Sequence, residues 1–429
     1  MLTQMPKGTR DVLPNESYRW HAIEHVIRDV CHRTGYREVR TPAFEHTELF
    51  LRGVGDTTDI VQKEMYAFED KAGRSITLKP EGTAGVVRSV IEHGLLAGAL
   101  PLKLYYLYSP VFRYENPQAG RLREHHQFGI EVFGAAGAEA DVEIIALGHS
   151  VLSELGIRNV SLRINSIGCP ACRKVYQETL RSFLKPLLPR LCKTCVDRYD
   201  RNPLRILDCK ETSCGALLHD APSVLDCLCD DCAQHFASLK ELLAAIGIEY
   251  TIDSRIVRGL DYYTRTVFEY VADFSTGPMT VLGGGRYDGL VEQLGGPPTP
   301  GAGFGMGMER LIMALAAENL LPPEPPLTDI TICAQGAAAR REAFTLAHTL
   351  RQQKFCVSCD LAGKSLKAQF KSADRDGARI VLMLGDDELA SNEITLRNMA
   401  QSTETRMPRA QLSDALATLL SECREEQTL

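Results

Sequence analysis

The chain has 429 residues, 44% of them hydrophobic and 24% charged, with a formal net charge of −7. That length exceeds one ordinary domain, and the acidic balance says nothing for bulk nucleic-acid affinity, so any polyanion site has to be a local basic patch. No apolar run approaches the roughly 18 residues of a membrane helix, and MLTQMPKGTRDVLP lacks the apolar segment of a secretory signal, so the cytoplasm is the expected compartment.

Residues 16–33 place Trp20, Ile23, Val26, Ile27 and Val30 at helical spacing. Gly35 ends that helix, and YREVRTPAFEHTELF predicts a strand interrupted at Pro42. SITLKPEGTAGVVRSVIEHGL reads as a strand, a corner at Pro80 and a helix. Residues 111–134 form a strand–loop–strand in which side chains two apart share a face, pairing Arg113 with Glu115 and aligning Gln127 with Gly129 and Glu131. A guanidinium, an amide and two carboxylates on one sheet surface are costly to bury dry, so water or a ligand covers them. A solvated, charged hairpin is the alternative. A helix over 138–155 and a strand over 160–165 come next.

The following stretch, 168 to about 233, is helical or irregular and holds nine of the 14 cysteines. Cys169-x2-Cys172 and Cys192-x2-Cys195, with 19 residues between them, fit a four-thiolate zinc site. Cys209-x4-Cys214 and Cys229-x2-Cys232 form a second quartet and leave Cys227 over. Disulfides, or free thiols packed as small hydrophobes, are the alternatives. A structural Zn2+ on Cys169, Cys172, Cys192 and Cys195 needs no catalytic role.

A helix over 235–246 leads to IVRGLDYYTRTVFEYVA, read as a strand pair whose alternation sends Arg258 and Tyr262 to one side and Tyr263 and Arg265 to the other. MTVLGGGRYDGLVEQLG and GAGFGMGMERLIMALAAE are strand–turn–helix units. Met308 stands where a dinucleotide fingerprint needs its third glycine, and the AGKS at 362–365 lacks the upstream glycine of a P-loop. What remains at 301–316 is a strand of small residues entering a helix that bears Glu309 and Arg310. It is either a backbone that another group approaches closely or a tight packing seam. Arg113, Arg121, Arg123, Arg258, Arg286 and Arg310 all lie on segments rich in glycine or aromatic residues, and a triphosphate best accounts for such a set. No serine elbow or HExxH helix supports a hydrolase.

LLPPEPPLT at 320–328, with four prolines from Pro322 to Pro326, is a stiff linker. Beyond it, strands and helices alternate in a three-layer α/β domain of about 100 residues. One of its helices, over 364–375, carries Lys364, Lys367, Lys371 and Arg375 as a basic stripe opposite Leu366, Phe370 and Ala373. Such a stripe is a solvated face or a phosphate-contacting one.

With these residues in view, the sequence resembles the class II aminoacyl-tRNA synthetases and, within them, the histidine–tRNA ligases. PKGTRDVLP looks like their motif 1, LKPEGTA and FRYE…REHHQF like the substrate loop and motif 2, and GFGMGMERL like motif 3, while RGLDYYTRTVFE and GGGRYDGL resemble two segments peculiar to the histidine branch. The resemblance implies an α+β fold, an antiparallel sheet with flanking helices. Residues 1–325 would be the catalytic core, interrupted by the cysteine-rich helical insertion 168–233, and 329–429 an anticodon-binding α/β domain after the 320–328 linker. It implies a homodimer that uses L-histidine, ATP with Mg2+ and tRNA(His), with no role for DNA or a membrane.

Carried onto matching positions, Arg113 would bind the α-phosphate, Glu115 the adenine edge and Arg310 the γ-phosphate, with Arg121 nearby and Phe128 stacked on the base. Glu81, Gly82, Thr83 and Gln127 would take the substrate ammonium. Glu131 and Tyr263 would grip the two imidazole nitrogens, which offer one donor and one acceptor, and Tyr262 and Tyr287 would line the pocket. Arg258 would stand at the reacting phosphate. The cysteines depart from the family pattern, so a metal there rests on spacing alone. Two rivals remain: a regulatory paralogue of the first enzyme of histidine biosynthesis, expected to lack the anticodon domain and parts of the arginine set, and a zinc-dependent RNA-binding protein with a vestigial core.

Overall fold

The computed structural model describes residues 3–55, 58–207, 209, 211–256, 258–274 and 277–425, so Val257 of VRGLDYYTRT and the extreme ends of the spans 1–325 and 329–429 lie outside the described residues. The chain divides into two compact units, Met1–Pro322 and Pro323–Leu429.

In the first unit α1 (Pro14–Arg33) precedes β1 (Arg37–Glu38), β2 (Phe44–His46) and α2 (Thr47–Val54). Pro42 thus separates two short strands, and the end of the expected strand is helical because Thr47, Phe50 and Val54 recur at helical spacing and bury together. β3 (Tyr66–Glu69) and β4 (Ser75–Leu78) complete a small antiparallel sheet in the order β2-β4-β3, and α3 (Thr83–Glu92) leaves it. β5 (Leu102–Phe112) and β6 (Glu124–Phe133) form the central hairpin, followed by α4 (Ala138–Glu154) and β7 (Val160–Ser166). The cysteine-rich insertion contains α5 (Pro170–Leu184), α6 (Lys193–Arg201) and α7 (Thr212–Leu217) and runs into α8 (Asp230–Ala245). β8 (Thr251–Ile252), β9 (Thr264–Phe274), β10 (Gly277–Arg286), α9 (Leu290–Gln293), β11 (Gly301–Gly307) and α10 (Met308–Ala317) close the unit.

The main sheet runs β1-β5-β6-β11-β10-β9-β7-β8, antiparallel through its centre and parallel at the β1–β5 and β7–β8 edges. Phe128, Ile130 and Val132 of β6, Phe268 and Tyr270 of β9, and Phe304 and Met306 of β11 pack with α1, α4, α8 and α10 in one hydrophobic core. The period of two then turns His125, Gln127, Gly129 and Glu131 of β6 to the opposite face. Two expectations change here. β5 ends at Phe112, so Arg113 and Glu115 lie beyond the strand and are not placed by its alternation. The expected strand pair around RGLDYY is one strand, β9, preceded by a loop in which the Asp261 N–H donates to Val54, outside any ladder; Arg265, the second residue of β9, has φ +50° and donates to Gly168.

In the second unit β12 (Ile330–Ala334), α11 (Ala337–Gln352), β13 (Val357–Cys359), α12 (Leu366–Arg375), β14 (Ile380–Leu384), α13 (Asp386–Ser391), β15 (Glu393–Asn398), β16 (Thr403–Pro408) and α14 (Leu412–Glu425) follow in order. The sheet is β13-β12-β14-β15-β16; its first three strands are parallel, and the antiparallel pair β15–β16 extends it. One face packs on α11 and α14, the other on α12, which makes three layers. Lys364 precedes α12 because the Asp360 carboxylate accepts the N–H groups of Ala362 (3.3 Å) and Lys364 (2.7 Å), a turn that competes with helix. Its ammonium still reaches the helix, 3.4 Å from Ser372 Oγ, and Lys367, Lys371 and Arg375 stay exposed.

A buried ion pair ties the first unit together. Asp141, in the first turn of α4, accepts Arg286 Nη2 at 2.7 Å and Nε at 3.0 Å, and its second oxygen meets Thr266 Oγ1 (2.7 Å) and His235 Nε2 (2.6 Å). Arg286 also donates to the carbonyls of Ala135 and Gly137 and pairs with Asp288. Both side chains are fully buried, so Arg286 leaves the expected phosphate-binding set and acts as a structural lock. Removing one partner strands the other charge. Asp141→Ala is expected to cost about 3–5 kcal/mol, measured by denaturant unfolding, with much of the loss recovered when Arg286 is replaced by methionine in the same chain.

Candidate active site

A cavity of about 370 Å³ opens on the polar side of the main sheet, and Arg113, Glu115, Arg121, Gln127, Arg258 and Arg310 all line it, together with His125, Glu269 and Thr280. Arg113 leaves the end of β5 and donates from Nε to the Pro80 carbonyl at 2.8 Å. Arg121 pairs with Glu115 at 2.8 Å. Arg310, in the first turn of α10, donates to the carbonyls of Gly120 (2.9 Å) and Thr280 (2.7 Å) and so carries its charge uncompensated by a carboxylate at bonding distance. Arg258 pairs with Glu269, which also accepts Thr280 Oγ1 at 2.9 Å, and the Arg258 Nε is buried without a partner. Glu309 is engaged by the N–H (3.1 Å) and Nδ1 (2.9 Å) of His126. Four guanidiniums therefore face three cavity carboxylates, Glu115, Glu269 and the His126-bound Glu309, and the surplus positive charge suits a polyanion. Burial and then the charges of Arg113 and Arg310 push His125 down to about 3, so its ring is neutral at physiological pH.

Beside the cavity sits a buried cluster of carboxylates and phenols. Glu81 accepts the N–H groups of Thr83 (2.8 Å) and Ala84 (2.7 Å) at the start of α3, and the Tyr262 hydroxyl lies 3.4 Å from it. Glu131 accepts the Tyr287 hydroxyl on Oε2, while its Oε1 is buried with no partner. The Tyr262 ring lies 4.8 Å from that of Tyr263 and 5.6 Å from that of Tyr287. The Arg258 guanidinium stands 5.8 Å from the Tyr263 ring centre, and Tyr106 reaches towards Gln127, 3.4 Å from hydroxyl to Oε1. Cluster and cavity meet at Gln127 and Arg258. The glycine strands make this possible. A Cβ at Gly303 would fall 2.1 Å from Glu131 Oε2, and one at Gly283 would fall 2.4 Å from Arg258 Nη1. The groups that approach the backbone are thus the protein's own charged side chains.

Several expectations are corrected by these positions. Phe128 is fully buried in the core, its ring 5.4 Å from Phe304, and is turned away from the cavity because it alternates with Gln127. His125 is the β6 ring on the cavity side, and counting back two residues from Gln127 would have found it. Arg123 stacks on Tyr114 at 4.2 Å and is not among the cavity residues. The predicted opposition of Arg258 and Tyr263 does not hold, because neither lies on a strand. Glu269 was missed because nothing in the sequence links it to Arg258 across the bend.

The cysteines group differently from the expected order. Cys169 and Cys172 lie with Cys229 and Cys232, and Cys192 and Cys195 with Cys209 and Cys214, the sulfurs of each group within 4.8 Å of one another. The quartet Cys169, Cys172, Cys192 and Cys195 is split between two groups. The outermost pairs meet where the insertion begins and ends: Cys169 caps α5 just after β7, Cys229 caps α8, and the Cys229 N–H donates to Cys172 Sγ. All eight thiols are free.

A family profile described as Histidyl-tRNA synthetase matches residues 8–178 and 208–311, and one described as Anticodon binding domain matches 329–419. A histidine–tRNA ligase of Caldanaerobacter subterraneus subsp. tengcongensis is 54% identical over 407 residues, covering 95% of this chain and 97% of its own. One of Acetivibrio thermocellus is 56% identical over 399 residues, covering 93% and 95%. The crystal structure of apo S. aureus histidyl-tRNA synthetase superposes with a TM-score of 0.82 at 36% identity, covering 96% of this chain and 99% of the other.

Burial pushes the Glu131 carboxyl up to about 8, against the Tyr287 hydroxyl that donates to it. The folded chain then holds a proton that the unfolded chain releases above the ordinary glutamate range. This contribution to stability is complete at low pH and is lost as pH rises towards 8. Urea unfolding between pH 5 and about 8 should therefore show stability falling more steeply in the native chain than in Glu131→Gln, whose amide does not titrate.

Proposed function

The chain belongs to the histidyl-tRNA synthetase family, and from that premise we propose which of its residues carry each part of the reaction. It is an aminoacyl-tRNA ligase that attaches L-histidine to tRNA(His) through a histidyl-adenylate. The histidine carboxylate attacks the α-phosphorus of ATP, pyrophosphate leaves, and a ribose hydroxyl at the tRNA terminus then takes the acyl group. No residue nucleophile is needed, so positioning and charge stabilisation are the protein's contributions. The observation that carries the residue assignment is the meeting, on one sheet face, of a four-arginine cavity with a buried carboxylate whose second oxygen is unpaired.

In this reading Arg113 holds the α-phosphate, Arg121 and Arg310 the outer phosphates, and Glu115 the adenine edge, with His125 in place of Phe128 beside the base. Arg258 neutralises the charge that develops at the attacked phosphorus. Glu81, Gly82, Thr83 and Gln127 bind the ammonium. Glu131 and Tyr263 take the two imidazole nitrogens, and Tyr262 and Tyr287 shape the slot. An analogue lacking either nitrogen would leave a buried polar group unpaired, a loss of roughly 10⁴-fold or more. Glu269 is the cavity carboxylate that would hold the Mg2+ accompanying ATP, whose chemistry is to offset phosphate charge. A structural Zn2+ in the insertion belongs to the same reading.

We assign catalysis to residues 1–325 without the 168–233 insertion, and anticodon binding to 329–429 with Lys364, Lys367 and Lys371 on phosphates. A homodimer working in the cytoplasm is part of the proposal, with neither membrane nor DNA as partner. Phe44, Leu51 and Phe68, exposed by 55, 40 and 50%, offer apolar area for a second copy to cover. No helix among the described residues is long and apolar enough to cross a membrane.

ATP–pyrophosphate exchange should respond to histidine alone among the twenty amino acids. Arg258→Ala should lower that exchange by about 10²–10³-fold while histidine affinity changes little; exchange near the native rate in this variant would refute the role. Replacing Lys364, Lys367 and Lys371 by alanine should weaken tRNA binding and flatten its salt dependence, with exchange left intact, as filter binding across a salt series would record.

A further inference from the structure

The insertion gathers eight thiols into two groups of four, and spacing within the groups is informative. Sγ of Cys169 and Cys172 are 3.6 Å apart, and those of Cys192 and Cys209 are 3.8 Å apart. A tetrahedral zinc about 2.3 Å from each sulfur requires sulfurs roughly 3.8 Å from one another. A disulfide requires about 2.05 Å, and thiols packed as hydrophobes have no reason to converge in fours. Each group also receives a backbone donor from the opposite pair: Cys229 N–H points at Cys172 Sγ (3.1 Å) and Cys192 N–H at Cys214 Sγ (3.2 Å). Gly168, at φ +66°, admits the Cys172 side chain where a Cβ would fall 2.5 Å from it.

The first group is joined to the active site by one residue. Arg173, next to Cys172, donates from Nη2 to the Tyr263 carbonyl at 2.6 Å and from Nη1 to that of Asp261 at 3.3 Å. These carbonyls belong to the loop that presents Arg258, Tyr262 and Tyr263. The second group sits under α6, whose Arg198 pairs with Asp59 at 2.9 Å.

We propose that the insertion holds two zinc ions in crossed sets, one on Cys169, Cys172, Cys229 and Cys232 and one on Cys192, Cys195, Cys209 and Cys214, and that the first fixes Arg173 as a positioning residue for the histidine-binding loop. Each ion replaces the thiol protons of its set, which pass to solvent, and no oxidation is involved. The second half of the proposal rests on the histidine-site reading above; the first half does not.

Elemental analysis of the full chain, purified without added metal, is expected to give two zinc ions per chain. Replacing Cys169, Cys172, Cys229 and Cys232 by serine should leave one ion, whereas replacing Cys169, Cys172, Cys192 and Cys195 should leave none. One ion retained in the latter variant would overturn the crossed pairing. Native protein that is folded, catalyses histidine-dependent exchange and contains no zinc would overturn the metal sites while leaving the enzymatic reading untouched. Should the serine variants fail to fold, cobalt exchanged into the native chain serves instead: thiolate-to-cobalt absorption saturating at two equivalents supports the sites, and its absence refutes them. Arg173→Ala should raise KM for histidine roughly ten- to a hundredfold with zinc content and KM for ATP unchanged, and Arg173→Lys should recover part of the loss. An unchanged histidine KM in Arg173→Ala would overturn the positioning role.

Discussion

Along β6, Phe128, Ile130 and Val132 leave one side of the strand for the hydrophobic core while His125, Gln127 and Glu131 leave the other, so a single strand both closes the core and supplies the floor of the site. A slip of one residue in its pairing would exchange the two sets, burying charge in the core and turning phenylalanine to the ligand. The register with β11, Gly303 against Glu131 and Gly305 against Gly129, guards against this. Only a residue without a side chain leaves room for the Glu131 carboxylate there. Core packing and substrate chemistry are thereby set by the same hydrogen-bond ladder.

A polar floor inside a folded unit has to be compensated, and the chain does this unevenly. Arg286 is satisfied on every side by Asp141, Asp288 and backbone carbonyls, which makes it a good lock and a poor ligand group. Arg258 and Glu131 are each left one group short, with a buried Nε and a buried Oε1 unpartnered. Unpaired buried polar atoms cost stability, and these two sit where the attacked phosphate and the imidazole are assigned. The contrast separates structural from functional arginines more sharply than their sequence settings, which look alike.

That likeness explains how far the sequence could be read. Arg113, Arg121, Arg258 and Arg310, on segments that carry glycine or aromatic residues, do share a cavity, and the proline run at 322–326 falls at the junction of the two compact units. Arg286 was grouped with them because a glycine turn and a neighbouring tyrosine mark a lock as readily as a ligand site; its partner Asp141 lies 145 residues away. Phe128 entered with the family resemblance, whereas alternation from Gln127 turns His125 to the cavity side. The loop before β9 was invisible because its contacts are tertiary: the Asp261 N–H donates to Val54, and the carbonyls of Asp261 and Tyr263 accept from Arg173. The cysteine spacing suggests pairs in chain order, but the pairs that meet are those at the two ends of the excursion, beside β7 and at the start of α8, which only the fold brings together.

The loop before β9 also shows why the insertion stands where it does. Between Ile256 and Thr264 the chain leaves the ladder, so its conformation rests on scattered contacts instead of a row of strand hydrogen bonds. Contacts with Val54 and with Arg173 are among them, and the second comes from the insertion. A brace is only as stiff as its own anchorage, and the insertion's core is small: Tyr176, Leu180, Leu184, Leu191, Ile206, Leu218 and Val224 around the buried Cys195 and Cys214. A segment of that size seldom holds one shape on apolar burial alone, and metals or disulfides commonly make up the difference. The second thiol group lies within this small core, and the first adjoins Arg173 through Cys172. Stiffness supplied there would pass through the Arg173 guanidinium to the carbonyls of Asp261 and Tyr263, and so to the loop that carries Arg258, Tyr262 and Tyr263.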